Sequence, residues 1–472
     1  MVIGIWSIAI MALESISPID GRYLKDTYPL AEYFSEAALI RYRIIVEGEY
    51  FLALAQSGLT GLRVLTEAEK ESVRAIYNLS PQDAQIVRDI ELKGYKNIKA
   101  TDHDLKAIEY FLKDRLADTS LRDTLEWIHF GLTSEDANNL AYGLMLAKSL
   151  RDVILPKLAE IRGELDKLAA AHKDLPMLAR THGQPATPTT FGKEFKVFGA
   201  RLARQVEQLK NYKISVKLNG ASGNWNAHLA AFPNTDWITF SRDFIARLAE
   251  FRGVAFEPNL VTTQIEPHDT YAECFDILRR INTILLDFNA DVWRYISDEW
   301  VVQKPKEGEV GSSTMPHKIN PIKFENSEGN LGVANALFEF FGRKLPVSRL
   351  QRDLSDSTVE RNFGVALGHC LVGYNYLLNG LSRITVNEAK VREELQSHPE
   401  VIAEAIQTIL RREGVPMPYE ELKQLTRGKT VSLEDLHRFI DGLKVRAEVK
   451  TELKKLTPEN YIGLAAKLAT AE

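Results

Sequence analysis

Apolar residues recur at helical spacing along most of the chain, with polar residues between them. The spacing predicts a helix from about residue 30 to residue 56, and further helices within 66–115 behind acidic starts such as Thr66-Glu67-Ala68-Glu69. A long helix runs from Thr133-Ser134 towards His172, with Pro156 expected to kink or break it. Others are expected over 192–217, 271–302, 324–341 and 358–384. In the 271–302 helix, Phe275, Leu278, Leu285, Phe288 and Val292, followed by Tyr295 or Ile296, form a stripe that reads as core. No strand-period run of useful length stands out, and beyond Val386 the segments shorten. The pattern predicts an all-α fold around a bundle of very long helices. Three parts are expected: 1–130, a central 131–372, and a small helical 373–472.

Between the periodic segments lie turn-rich stretches that carry most of the candidate chemistry. Residues 308–321 hold two glycines, a Ser-Ser-Thr run and two prolines, so they cannot continue a helix. Their hydroxyls (Ser312, Ser313), ammonium (Lys318) and amide (Asn320), ahead of a helix start that contains Asn326, favour a bound anion. Residues 181–190 form another loop around His182, whose ordinary pKa suits proton transfer near neutrality. Asp20-Gly21 signals a turn that places Arg22 and Tyr23 at a helix head, with capping the preferred role from spacing alone. Thr101 to Asp104 places His103 at another helix start, and Thr133 or Ser134 caps the next. Two more loops, 219–226 and 262–269, follow, and 348–361 concentrates Arg352, Ser357 and Arg361 in what is either an anion fork or a solvated connector.

With 472 residues and a 45% apolar share the chain can bury a large core, and a net charge of −5 with no long like-charged block argues against a nucleic-acid partner. Cys274 and Cys370 lie in apolar stretches and read as reduced core residues of a cytoplasmic protein. Residues 1–10 are apolar but lack the basic start of a secretory signal and the length of a membrane span, and are expected to be an extension upstream of Met11. No Cys/His spacing supports a metal, and no phosphate-binding glycine loop is present. Ser312 does not sit in a nucleophile elbow. The inventory that remains, one histidine, one hydroxyl and several anion holders, suits elimination next to a carboxylate.

The order Gly311-Ser312-Ser313-x-Met315-Pro316-x-Lys318-x-Asn320-Pro321 resembles the signature loop of the fumarase/aspartase superfamily. Ser-Pro-Ile-Asp-Gly-Arg-Tyr at 17–23, Thr-x-His-Asp at 101–104, His-Phe-x-x-Thr-Ser-Glu-Asp at 129–136, Thr-His-Gly-Gln-Pro-Ala-Thr at 181–187 and Gln-Ile-Glu-Pro-His-Asp at 264–269 narrow the resemblance to its adenylosuccinate lyase family. The resemblance covers 15–463 and implies a three-domain all-α fold, a homotetramer with sites shared between subunits, a loop that closes over substrate, and no cofactor. It also implies His182 as general acid and Ser312 as general base. Contacts to the nucleotide or the succinyl carboxylates would come from Arg22, Tyr23, His103, Asp104, Thr133, Ser134, Gln264, Ser313, Lys318, Asn320, Asn326, Arg352, Ser357 and Arg361. Asp102 stands where relatives often carry asparagine. Other fumarate-releasing lyases and a non-catalytic helical scaffold are the competing expectations.

Overall fold

The first long helix follows from a local start signal and a run of apolar residues. Ser35, extended and accepting from the Ala38 N–H, opens Glu36–Gln56, which is apolar almost all round and buried over most of its length. The computed structural model describes residues 13–305, 308, 314–315, 317–428 and 431–471. The expected extension at 1–10, together with Ser312 and Ser313, lies outside them.

Among the described residues the protein is mostly α-helical, with three two-stranded sheets. Two compact units can be told apart. The first runs to Lys157 and includes Val206–Thr283 and Asn330–Gly373; the second comprises Leu158–Gln205, Ile284–Gly329 and the chain from Tyr374 onward. In the first, Glu36–Gln56 packs against Ser134–Ser149 and Asp104–Leu116. An aromatic group joins Phe275, Phe338, Phe341 and Phe363, with Phe275 and Phe338 stacked at 5.3 Å. In the second, the short helices Glu388–Gln396, Ala403–Arg412 and Leu433–Gly442 gather round Leu395, Ile406, Leu410, Leu436 and Ile440. The predicted stripe Phe275, Leu278, Leu285, Phe288 and Val292 is buried, as are the two unpaired cysteines.

Several predicted boundaries are corrected. The helix from Thr133 runs to Ser149, passes through a π-turn at Leu150–Ile154, and resumes at Leu155–Ala171. The irregular turn directly precedes Pro156, which has no N–H for the ladder and would collide with a regular preceding turn. The expected loop at 181–190 is a β-hairpin, Pro176–Thr181 against Gln184–Thr190. Its register slips where Thr187 and Pro188 face Leu178 alone, so a proline sits where a ladder N–H is not required. The 192–217 helix stops at Asn211, and Ile214–Val216 pairs with Phe256–Pro258. Gly192 lets this helix begin hard against the preceding one: a Cβ there would lie 2.3 Å from the Ala169 carbonyl oxygen. The 271–302 helix is Asp269–Ser297, and β-branched Val301 and Val302 enter a strand paired with Ile384–Val386. The 358–384 helix divides into Ser355–Glu360 and Phe363–Leu381.

Candidate active site

In the first unit Thr133, Ser134, His103, Gln264 and Arg352 gather round the N-terminus of Ser134–Ser149. Thr133 is the N-cap, and its N–H donates to Asp136 at 3.0 Å. Asp136 does more than close a capping box. Fully buried, it also accepts from the Asn219 and Gly220 N–H groups at 3.0 and 3.1 Å and pairs with the equally buried Lys217 ammonium at 3.0 Å. The 219–226 loop is thereby pinned beneath the helix start.

His103 caps Asp104–Leu116 through Nδ1, which accepts from the Lys106 N–H at 3.2 Å. Nε2 of the same exposed ring lies 3.5 Å from the Ser134 hydroxyl. Asp104 lies between Arg43 at 2.8 Å and Arg361 at 3.2 Å, and Arg361 also meets Glu36 at 2.7 Å. Burial works against the Asp104 charge, yet the two guanidiniums hold its carboxyl below the ordinary range. Asp102 is exposed with φ at 50°, a left-handed conformation that asparagine and aspartate tolerate best. Backbone geometry therefore accounts for either residue there. Arg22 is exposed, and Tyr23 precedes the four-residue Leu24–Thr27 helix without making a side-chain cap bond, so the preferred capping role is not realised.

On the other side of the same helix start, Arg352 pairs with Glu135 at 3.0 Å and donates to the Gln264 carbonyl at 3.4 Å. The Ser357 N–H donates to Asp356 at 2.7 Å. Below these residues Glu135, His268, Asp356 and Glu360 are all buried, with His268 Nε2 3.6 Å from Asp356. Burial opposes a charge on His268, but Asp356, Glu360, Glu135 and Glu266 outweigh it and raise the imidazole to about 9. Burial also pushes the Glu360 carboxyl up to about 8, against the pull of His268. The donor atoms of Glu135, His268 and Asp356 lie within 4.8 Å of one another, close enough for a small cation, but the Arg352 guanidinium already brings positive charge to Glu135. We read the group as an ionic cluster.

Its pH dependence follows from these directions. The stabilisation from protonating His268 is complete below about pH 6.5, the unfolded value, and is lost as pH rises through about 9. Glu360 acts in the same sense up to about pH 8. The melting temperature is expected to fall between pH 7 and pH 9.5; a flat or rising curve by circular dichroism would count against a protonated cluster.

In the second unit His182 and Gly183 form the two-residue turn of the hairpin, with φ of 53° and 74°, the pairing that a type I′ turn requires. The turn is braced by Arg180, which donates to the Gly183 carbonyl at 3.4 Å and pairs with Glu394. The imidazole is exposed. Lys318 is exposed in a turn closed by its N–H on the Met315 carbonyl, Asn320 is half-buried just before Ile322–Lys344, and Asn326 is half-buried within that helix.

Residues 21–335 match the family model described as Lyase, and 348–462 the one described as Adenylosuccinate lyase C-terminal. The chain is 48% identical over 463 residues to the adenylosuccinate lyase of Legionella pneumophila (strain Corby), covering 98% of this chain and 99% of that protein. That of Escherichia coli (strain K12) is 46% identical over 459 residues, with 96% and 97% covered. The chain belongs to the adenylosuccinate lyase family. Among solved structures, a fumarate lyase from Mesorhizobium sp. BNC1 superposes with a TM-score of 0.71 at 20% identity, covering 94% of this chain and 96% of that one. A 3-carboxy-cis,cis-muconate lactonizing enzyme from Pseudomonas putida gives 0.69, also at 20%, with 94% and 95% covered. These two speak for the fold.

Within this adenylosuccinate lyase family member, sequence reading passed over Arg43, Glu135, Asp136, Lys217, His268, Asp356 and Glu360 as site-building residues. Two local signals existed. Arg43 is a charged residue set among the mostly apolar positions 38–55, and Asp356 and Glu360 stand four apart on one helix face.

Proposed function

We propose that this protein releases fumarate from adenylosuccinate to give AMP, and from the succinylated carboxamide ribotide of purine synthesis, by general acid and general base catalysis. The alignment with adenylosuccinate lyases across nearly the whole chain carries the reading. By this reading Ser312 takes the proton from the succinyl carbon next to a carboxylate, the C–N bond breaks, and His182 protonates the departing nitrogen. Charge that develops on the carboxylate needs cationic and N–H donors, for which Lys318 and Asn320 are the candidates. Lys318 also supplies the positive potential that a serine base requires. His103, Ser134, Arg352 and Arg361 around a helix N-terminus suit the nucleotide's anionic groups, with Arg22, Tyr23, Asp104, Thr133, Gln264, Ser313, Asn326 and Ser357 completing the proposed contacts. No cofactor enters the scheme. Following fumarate absorbance on mixing with adenylosuccinate tests it; turnover of argininosuccinate in its place would reverse the substrate assignment.

The proposal includes a homotetramer with shared sites, a three-part chain divided at 130/131 and 372/373, and a cytoplasmic location consistent with two buried thiols. Support for association comes from Ile322–Lys344, where Gly329, Val333, Ala336 and Phe340 repeat at three- and four-residue spacing on an exposed face that Ile322 extends two turns earlier. Val333→Asp is expected to lower the mass seen by light scattering and to reduce activity with it; an unchanged mass would place the interface elsewhere. No helix among the described residues is long and apolar enough to cross a membrane.

A further inference from the structure

His268 is fully buried, lies at φ 64° just ahead of Asp269–Ser297, and is ringed by charge from several elements. Asp356 and Glu360 face it from Ser355–Glu360, Glu135 from Ser134–Ser149, and Glu266 from its own loop. The Glu266 carboxylate accepts the His268 N–H at 2.8 Å, and the Tyr271 ring stacks on the imidazole at 5.3 Å. Arg352 is the other cation in contact with these carboxylates, through Glu135. Four buried acids against one guanidinium, with the Lys217 ammonium acting on Glu135 while paired to Asp136, are costly to ionise together, so a further positive group among them decides which carboxylates keep their charge.

Those carboxylates lead directly to the nucleotide-facing residues. Glu135 orients Arg352, Arg352 holds Gln264, and Asp356 receives the Ser357 N–H. We propose that His268 is a positioning residue for the nucleotide: from beneath the site it fixes the Glu135 and Asp356 carboxylates, and through them Arg352 and the Ser357 turn. It sets affinity and leaves the proton-transfer step to other groups. The inference rests on the adenylosuccinate reading above. Without the imidazolium, Glu135 or Asp356 takes up a proton, and a neutral Glu135 no longer pairs with Arg352. The raised imidazole pKa agrees with a ring held charged across the neutral range.

The test is His268→Gln in the full-length chain, with oligomer mass and circular dichroism compared with the unsubstituted protein. The Kd for AMP and the KM for adenylosuccinate are expected to rise about tenfold or more, the loss of a charge-assisted contact, while kcat stays within about threefold. Unchanged Kd and KM in a folded variant, or a fall in kcat alone, overturns the inference. Should the variant not fold, AMP binding by the unsubstituted protein decides, because the nucleotide phosphate keeps one charge state above pH 7.5. Its Kd is expected to climb as pH passes about 9, and a flat profile to pH 10 overturns the assignment. If the unsubstituted protein neither binds AMP nor releases fumarate, the functional reading itself falls and takes this inference with it. If it does both and His268→Gln matches it, the inference falls and the functional reading stands.

Discussion

Replacing His182 by alanine is expected to lower adenylosuccinate turnover by about 10²-fold or more, the usual contribution of a positioned general acid. The position complicates the experiment in an informative way. His182 occupies a left-handed backbone conformation at φ 53°, where alanine adds strain and asparagine does not. His182→Asn therefore keeps the turn while removing the imidazole proposed as proton donor. Both variants should lose turnover to a similar extent if the imidazole acts chemically. If His182→Asn retains activity while His182→Ala loses it, the residue serves the hairpin and not the reaction. Ser312→Ala is expected to fall by about the same factor if its hydroxyl is the proton acceptor proposed above.

Lys217→Met is expected to cost about 3–5 kcal/mol of stability, because it leaves the fully buried Asp136 carboxylate without its ammonium. Lys217 also donates to the Gly220 carbonyl at 2.9 Å, so the 219–226 loop and the Thr133 cap loosen together. Urea midpoints measure the loss. Adding Asp136→Asn to the same chain removes the stranded charge and should return part of it. A Lys217→Met cost below about 1 kcal/mol would mean that water reaches Asp136.

The long helices could be read from the sequence because their information is local. A stripe such as Phe275, Leu278, Leu285 and Phe288 has one sensible burial, and the acidic start at Thr66 and the cap expected at Thr133 or Ser134 announce helices that the structure closes with capping boxes at Thr66 and Thr133. The hairpin escaped because its strands carry Pro185 and Pro188, which count against strand in any local reading, while the His182-Gly183 turn that creates it looks like any flexible loop. At the candidate site, His103, Ser134 and Gln264 stood out because they fall in motifs that the family resemblance marks. Lys217, His268 and Glu135 did not, because each gains meaning only from partners far away in the chain. Lys217 and Asp136, for instance, are adjacent only after folding.

The water-facing row of Gly329, Val333, Ala336 and Phe340 bears on how the enzyme should be assayed. If that row is covered only by neighbouring chains, specific activity is not a constant: it should decline on dilution into the nanomolar range and recover on concentration, with each polypeptide keeping its helical signal throughout.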